Sequence, residues 1–213
     1  MVGKDADLKM TANPTSNPSG ISRTMRILSI AGSAALVCVV AVGLATVRYE
    51  MTNIHAFRVP SKSMCPTVCE NERVLASMDV DPAKPPKRGD VILFSHRLGE
   101  GSSLLFKRVI GIGGDEVSSS NGTIFVNGNA SPYAQARPVC GHPIDAPHGL
   151  AESPTFATVK VPPGYFFVIG DNLLNSYDSR YPEFGLVSSE ELRGHPLYIY
   201  WSPGDSRFGC AIH

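Results

Sequence analysis

Pro60-Ser61-Lys62-Ser63-Met64-Cys65-Pro66-Thr67 decides how the rest of this chain is read. Its prolines restrict the backbone around two hydroxyls spaced two residues apart. In an extended segment alternate side chains share a side, so Ser61 and Ser63 face the same way. Ser63 reads as a nucleophile. A serine hydroxyl attacks poorly until something removes its proton. The remaining sequence must therefore supply a base, an oxyanion site and a rigid frame to hold them.

Upstream of this stretch, Ile27 to Val47 carries no charge over 21 residues, with Arg26 and Arg48 at its ends. As a helix it extends roughly 30 Å, the thickness of one bilayer core. A buried core helix would show a polar face, and a cleaved leader would have a shorter apolar region. The reading adopted is an uncleaved transmembrane helix over 27–47. Residues 1–26 are polar, with Asn13-Pro14, Asn17-Pro18 and Ser19-Gly20, and read as a disordered tail. Arg23 and Arg26 crowd the N-terminal flank. The positive-inside rule then puts the tail in the cytoplasm and residues 49–213 outside, as an extracytoplasmic, periplasmic domain on a single-pass inner-membrane protein.

Downstream, apolar runs alternate with turns. Arg73 to Met78, Val91 to Phe94, Leu104 to Gly111, Thr158 to Val161, Tyr165 to Ile169 and Leu197 to Trp201 read as strands. Asn121-Gly122 and Asn127-Gly128 are hairpin turns. Arg88-Gly89-Asp90 is a turn into a buried strand rather than an adhesion motif. With 20 Gly and 17 Pro in 213 residues, the fold class is mainly β. Lys plus Arg and Asp plus Glu both number 19, which excludes an electrostatic nucleic-acid binder.

Lys107 sits inside an apolar run, flanked by Leu104, Leu105, Phe106, Val109 and Ile110. Burial disfavours an ammonium, so a lysine there can hold a neutral amine near physiological pH and act as a base. The competing reading is an edge-strand lysine whose head reaches water. Arg108 points to the other face. Gly170-Asp171-Asn172 through Ser176-Tyr177-Asp178-Ser179-Arg180 follows a strand and is dense in hydrogen-bonding groups. In isolation a solvated surface loop and a structured site loop both fit it, and its hydrogen-bonding groups directly after a buried strand make the site loop a serious competitor. Nothing calls for a metal or cofactor. His142 and His148 have no third ligand near them, and the cysteines lack zinc spacing. Cys65, Cys69, Cys140 and Cys210 would face an oxidising space, with three pairings open.

Taken together, the chain resembles the type I signal peptidases, membrane-bound Ser-Lys endopeptidases. Residues 60–67 match that family's Pro-Ser-x-Ser-Met-x-Pro-Thr box, and Arg88-Gly89-Asp90-Val91 matches the box after it. Lys107-Arg108-Val109-Ile110-Gly111 through Gly114-Asp115 matches the base box, with Gly113 where proline is usual. Residues 170–180 match the last box, with Leu173 where arginine is usual. The resemblance implies an antiparallel β-sheet catalytic domain over 49–213, with a smaller lobe inserted at about 116–160.

It also implies Ser63 as nucleophile, Lys107 as base, Ser176 orienting the base, and Ser61 with the Ser63 N–H as oxyanion donors. Arg108, Asp171, Asp178 and Arg180 would form structural ion pairs. Val59, Pro60, Met64 and Phe106 would line pockets for the small side chains of Ala-x-Ala substrates. The implied partners are the signal peptides of secretory precursors, the lipid bilayer and the translocation machinery. Two other readings stay open on sequence: a specialised conjugation or pilin-type peptidase with one dedicated substrate, and an anchored β domain that binds precursors without cutting them. A self-cleaving repressor would need a DNA-binding head, and residues 1–48 offer a tail and an apolar helix instead.

Overall fold

The computed structural model describes residues 23–99, 101–133, 155–204 and 207–213; within the first helix, side chains are described at 32, 35–48 and 52. The tail read as disordered lies mostly outside these residues, as do His142, His148, Cys140 and most of the Pro-rich excursion at 130–157. The chain divides into two units, Met1–Tyr49 and Glu50–His213.

In the first unit, α1 (Arg23–Thr52) contains the apolar run read from sequence. Its described side chains are exposed, among them Leu36, Val39 and Leu44. Cys38 is a free, exposed thiol. Residues 27–31, 33 and 34 of the run fall outside the described side chains. Among the described residues, no helix is long and apolar enough to cross a membrane.

The strands of the second unit all pair antiparallel, with short 3-10 turns at Leu173–Asn175 and Ser189–Glu191. Its strands are β1 (Ile54–Arg58), β2 (Arg73–Ser77), β3 (Val91–Leu98), β4 (Gly101–Ile112), β5 (Glu116–Ser120), β6 (Thr123–Val126), β7 (Asn129–Ala130), β8 (Val159–Lys160), β9 (Tyr165–Ile169), β10 (Val187–Ser188) and β11 (Leu192–Trp201). Seven form one sheet in the order β1-β2-β11-β3-β4-β9-β10, and four form a second in the order β7-β6-β5-β8. The second sheet is built from residues 116–130 and 159–160. Its tight turns use Asn121-Gly122 and Asn127-Gly128, all four with positive φ, the geometry that twists a two-residue hairpin correctly.

Several strands outrun their apolar stretches. β3 continues beyond Phe94 through Ser95 and His96 because it pairs with β4 as far as Leu98 opposite Gly101. β1, which mixes polar and apolar residues directly after a helix, is not apparent from sequence. It pairs in full with β2, from Ile54 opposite Ser77 to Arg58 opposite Arg73. Pro162-Pro163-Gly164 separates two strands that are not partners: β8 pairs with β5 and β9 with β4.

That corner also accounts for Gly113. A Cβ there would lie 2.9 Å from Pro163 Cα and 3.1 Å from the Pro162 carbonyl oxygen, so the turn has room only for glycine. Three apolar clusters fill the unit. One lies under the second sheet (Val117, Ile124, Phe167, Ile169), one under β3 and β9 (Phe94, Val109, Val168, Val187), and one beneath the 59–72 loop (Val59, Met64, Val68, Val74, Ile199).

Candidate active site

The loop from Val59 to Asn71 leaves β1 and returns to β2 with its base tied shut. Val59 N–H donates to the Glu72 carbonyl at 2.9 Å, and Asn71 N–H to the Val59 carbonyl at 2.8 Å. Met64 and Val68 point inward and are almost fully buried. Cys65 and Cys69 are joined by a disulfide, and Cys210 is disulfide-bonded as well. Buried Glu72 accepts from Cys69 N–H at 2.7 Å and from Ser202 Oγ at 2.8 Å, and pairs with Arg207 at 3.4 Å. Arg207 in turn donates to the Thr67 carbonyl at 2.6 Å. Ser63 is therefore carried by a loop braced from below on every side. Its Oγ lies 3.2 Å from Ser61 Oγ, but the segment turns at Ser63, where Cys65 N–H donates to the Lys62 carbonyl at 3.1 Å, so the two hydroxyls meet at a turn rather than on one side of an extended segment.

β4 supplies the next groups, and strand alternation sends Lys107 and Arg108 to opposite faces. Both are buried, Lys107 at 3% exposure. Lys107 Nζ donates to Ser176 Oγ at 2.9 Å. Burial lowers the Lys107 amine from its ordinary 10.5 to about 8; the Arg180 charge adds to that, and Asp178 and Asp171 oppose it. The head of this lysine does not reach water as an edge-strand lysine's would. Among the described residues Lys107 and Ser63 do not hydrogen-bond to each other; each has its own serine partner.

The loop after β9 joins the two segments. A Cβ on Gly170 would overlap both Ser176 Oγ and the Ser63 carbonyl oxygen, so the three segments meet there with no space for a methyl group. Gly170 N–H donates to Asp178 Oδ2 at 2.9 Å. Arg180, also buried, pairs with Asp178 through Nε at 2.7 Å and donates to the carbonyls of Leu173 at 2.9 Å and Ser176 at 3.1 Å. Ser176 is thus held by its backbone while its hydroxyl meets the amine.

Arg108 grips Asp171 with two bonds, Nε to Oδ1 at 2.7 Å and Nη2 to Oδ2 at 2.6 Å, and Thr67 Oγ1 also donates to Asp171. The four residues expected to form ion pairs therefore divide into two separate buried pairs. Truncating one partner of such a pair leaves an uncompensated charge, a loss on the order of 3–5 kcal/mol.

The apolar residues expected to line substrate pockets are placed differently from one another. Val59 and Met64 are core residues at 4% and 2% exposure, packed with Val68 and Val74. Pro60 is exposed, and half-buried Phe106 meets Phe57 edge-on. A cavity of about 1140 Å³, lined in part by Ile92, Arg108, Phe166 and Leu192, includes none of Ser63, Lys107 and Ser176.

Thr67, Glu72, Asn172 and Arg207 carry site contacts to which no role attaches from sequence. Asn172 lies in a recognised box, but its partners are 110 residues distant. The Glu72–Arg207 pair has no local signal at all.

The crowding at Gly170 gives a direct expectation. Gly170→Ala must displace the Ser63 backbone or Ser176, and overpacking of this kind costs about 1–3 kcal/mol. Thermal unfolding of the variant beside the wild type should show that loss.

The family described as signal peptidase, peptidase S26, matches residues 31–201. Signal peptidase I T of Bacillus subtilis (strain 168) is 32% identical over 154 residues, 71% of this chain and 76% of the relative. Probable signal peptidase I-2 of Synechocystis sp. is 32% identical over 149 residues, 67% of this chain and 61% of the relative. Signal peptidase I U of Bacillus subtilis (strain 168) is 30% identical over 191 residues, 87% of this chain and 91% of the relative.

Proposed function

The chain belongs to the signal peptidase family, peptidase S26, and is a serine endopeptidase that removes signal peptides from precursor proteins; from that premise we propose that it does so with a Ser63–Lys107 dyad. In this reading neutral Lys107 takes the Ser63 Oγ proton as the oxygen attacks the scissile carbonyl. The resulting oxyanion accepts from the Ser63 N–H and the Ser61 hydroxyl. Collapse breaks the C–N bond, and the departing amine receives the proton from Lys107 Nζ. Water then attacks the acyl ester. Lys107 accepts the water's proton, Ser63 Oγ leaves as the ester breaks and is reprotonated, and the signal peptide departs as a carboxylate. Ser176 keeps the amine pointed at the nucleophile throughout.

The observation that carries this reading is the buried Lys107 amine held by Ser176 at 2.9 Å, in a loop packed against the Ser63 backbone. A substrate in extended form has an edge to pair with. β9 pairs with β4 only from Arg108 onward, so the stretch of β4 leading to Lys107 has a partner on one side only among the described strands. Phe106 lies on that stretch and Pro60 is exposed beside the nucleophile; both suit small side chains of the Ala-x-Ala type.

The apolar run 27–47 is proposed as a membrane anchor with the tail cytoplasmic and the catalytic domain extracytoplasmic. Anchoring raises the effective concentration of precursors presented at the bilayer by the translocation machinery.

Cleavage of a signal-bearing precursor by solubilised protein, with the cut site mapped by mass spectrometry, tests the reading. Ser61→Ala should lower kcat by roughly 100- to 1000-fold, the effect of losing one oxyanion donor. Full activity in that variant would remove Ser61 from the mechanism.

A further inference from the structure

The nucleophile loop exposes one peptide unit whose orientation matters more than any other, the one linking Lys62 to Ser63. It is planar and trans, so its carbonyl and its N–H point in opposite directions and cannot be aimed independently. The N–H end belongs to Ser63, and among the described residues it has no acceptor within the protein. The carbonyl end is held twice. Asn172 Nδ2 donates to the Lys62 oxygen at 3.1 Å, and Cys65 N–H donates to the same oxygen at 3.1 Å. The following peptide is held as well, because Asn172 N–H donates to the Ser63 carbonyl at 3.0 Å. A single residue therefore grips the backbone on both sides of the Ser63 Cα.

We propose that Asn172 is a positioning residue for the oxyanion site: its side-chain amide holds the Lys62 carbonyl and thereby aims the Ser63 N–H at the oxygen that develops charge. The proposal rests on the Ser63 dyad reading above. It gives the 170–176 loop two tasks, since that loop also carries the Ser176 hydroxyl that holds Lys107. Asn172 is itself steadied by Asn175, whose N–H donates to its carbonyl at 3.1 Å and whose Nδ2 donates to its Oδ1 at 3.3 Å.

The test uses the full chain in detergent, with Asn172→Asp as the principal variant. Aspartate keeps the size, the backbone bonds and the acceptor facing Asn175, and puts an ionised oxygen in place of the donor to Lys62. Asn172→Ser, which removes the donor without adding a charge, is measured beside it, and near-UV circular dichroism checks that both fold. Kinetics on a precursor should show kcat reduced by roughly 10- to 100-fold with KM within about twofold, an interaction made stronger in the transition state.

A peptide aldehyde ending in Ala-x-Ala serves as the probe. The Ser63 oxygen adds to its carbonyl carbon, the hydroxyl proton passes to the new hemiacetal oxygen, and that oxygen occupies the oxyanion position. Its inhibition constant should rise by the same factor as kcat falls, whereas the midpoint of the pH–rate profile of the uncharged Asn172→Ser should not move. Asn172→Gln should recover part of the loss.

Unchanged kcat in both variants would overturn the proposal. So would a loss confined to KM, or a shifted pH midpoint in Asn172→Ser, which would mean the Lys107 side had collapsed instead. If wild type fails to cleave the precursor, or Ser63→Ala still cleaves it, the dyad reading itself falls. If cleavage depends on Ser63 and both Asn172 variants keep full kcat, only the role of Asn172 falls.

Discussion

Ser63→Ala and Lys107→Ala should each end precursor cleavage, with losses on the order of 10⁴-fold or more, because members of one catalytic unit fail together. The informative companion is Lys107→Arg. Arginine keeps a positive charge and a long side chain at the same place, but its guanidinium is not deprotonated in proteins. If Lys107 were a structural cation serving Asp178, arginine would preserve function. If it must accept the Ser63 proton, arginine is as inactive as alanine. The structure makes this sharp, because Asp178 already has a dedicated partner in Arg180 at 2.7 Å and Lys107 Nζ donates to a neutral hydroxyl. Initial rates with one precursor, compared across the three variants and Ser61→Ala, separate the outcomes. Activity in Lys107→Arg would contradict the base assignment.

The second large effect is on pH. With its amine at about 8 in the folded protein, Lys107 is protonated at pH 6 in all but roughly one molecule in a hundred. The value of kcat/KM should fall about tenfold per unit below pH 8 and level off above it. Stability should vary with pH through the same group. The unfolded chain returns the amine to its ordinary 10.5, so between about 8 and 10.5 the unfolded state binds more protons than the folded one. Stability gained from this residue therefore rises with pH across that window, and the penalty is fully present below pH 8. The gap corresponds to about 3 kcal/mol. Lys107→Met should accordingly stabilise the protein most at acidic and neutral pH, by up to about 3 kcal/mol, with the advantage shrinking as pH approaches 10.5. Thermal unfolding of both proteins at pH 6 and pH 10 measures it. An advantage independent of pH would mean that the lysine is not penalised by burial.

Much of this was legible from residues alone, and the boundary follows physical lines. β2, β4, β9 and β11 announce themselves by continuous apolar runs, and the Asn-Gly turns of the second sheet by their backbone requirement. β1 does not, since Ile54–Arg58 mixes polar and apolar residues and only its pairing with β2 makes it a strand. The separation of β8 from β9 into different sheets is likewise invisible, because it depends on partners brought from β5 and β4. At the site, residue types pointed to a serine, an amine and a cluster of ions. Which arginine meets which carboxylate depends on strand faces and loop closure. Val59 and Met64 show the limit most clearly: apolar residues beside a nucleophile suit a pocket wall as well as a core, and the tied base of the 59–72 loop puts them in the core. Asn172 acts across the fold, and a single sequence carries no trace of the carbonyls it holds.

The account depends on Lys107 being uncharged in about one molecule in ten at pH 7, far more than for a lysine in water, while Ser176 keeps it in place. Nitrogen NMR of the protein with labelled lysine, its Lys107 signal assigned by loss in Lys107→Arg, reads that proton directly. A titration midpoint near 8 is the result this account predicts. A midpoint near 10.5, the value of a lysine in water, would contradict it.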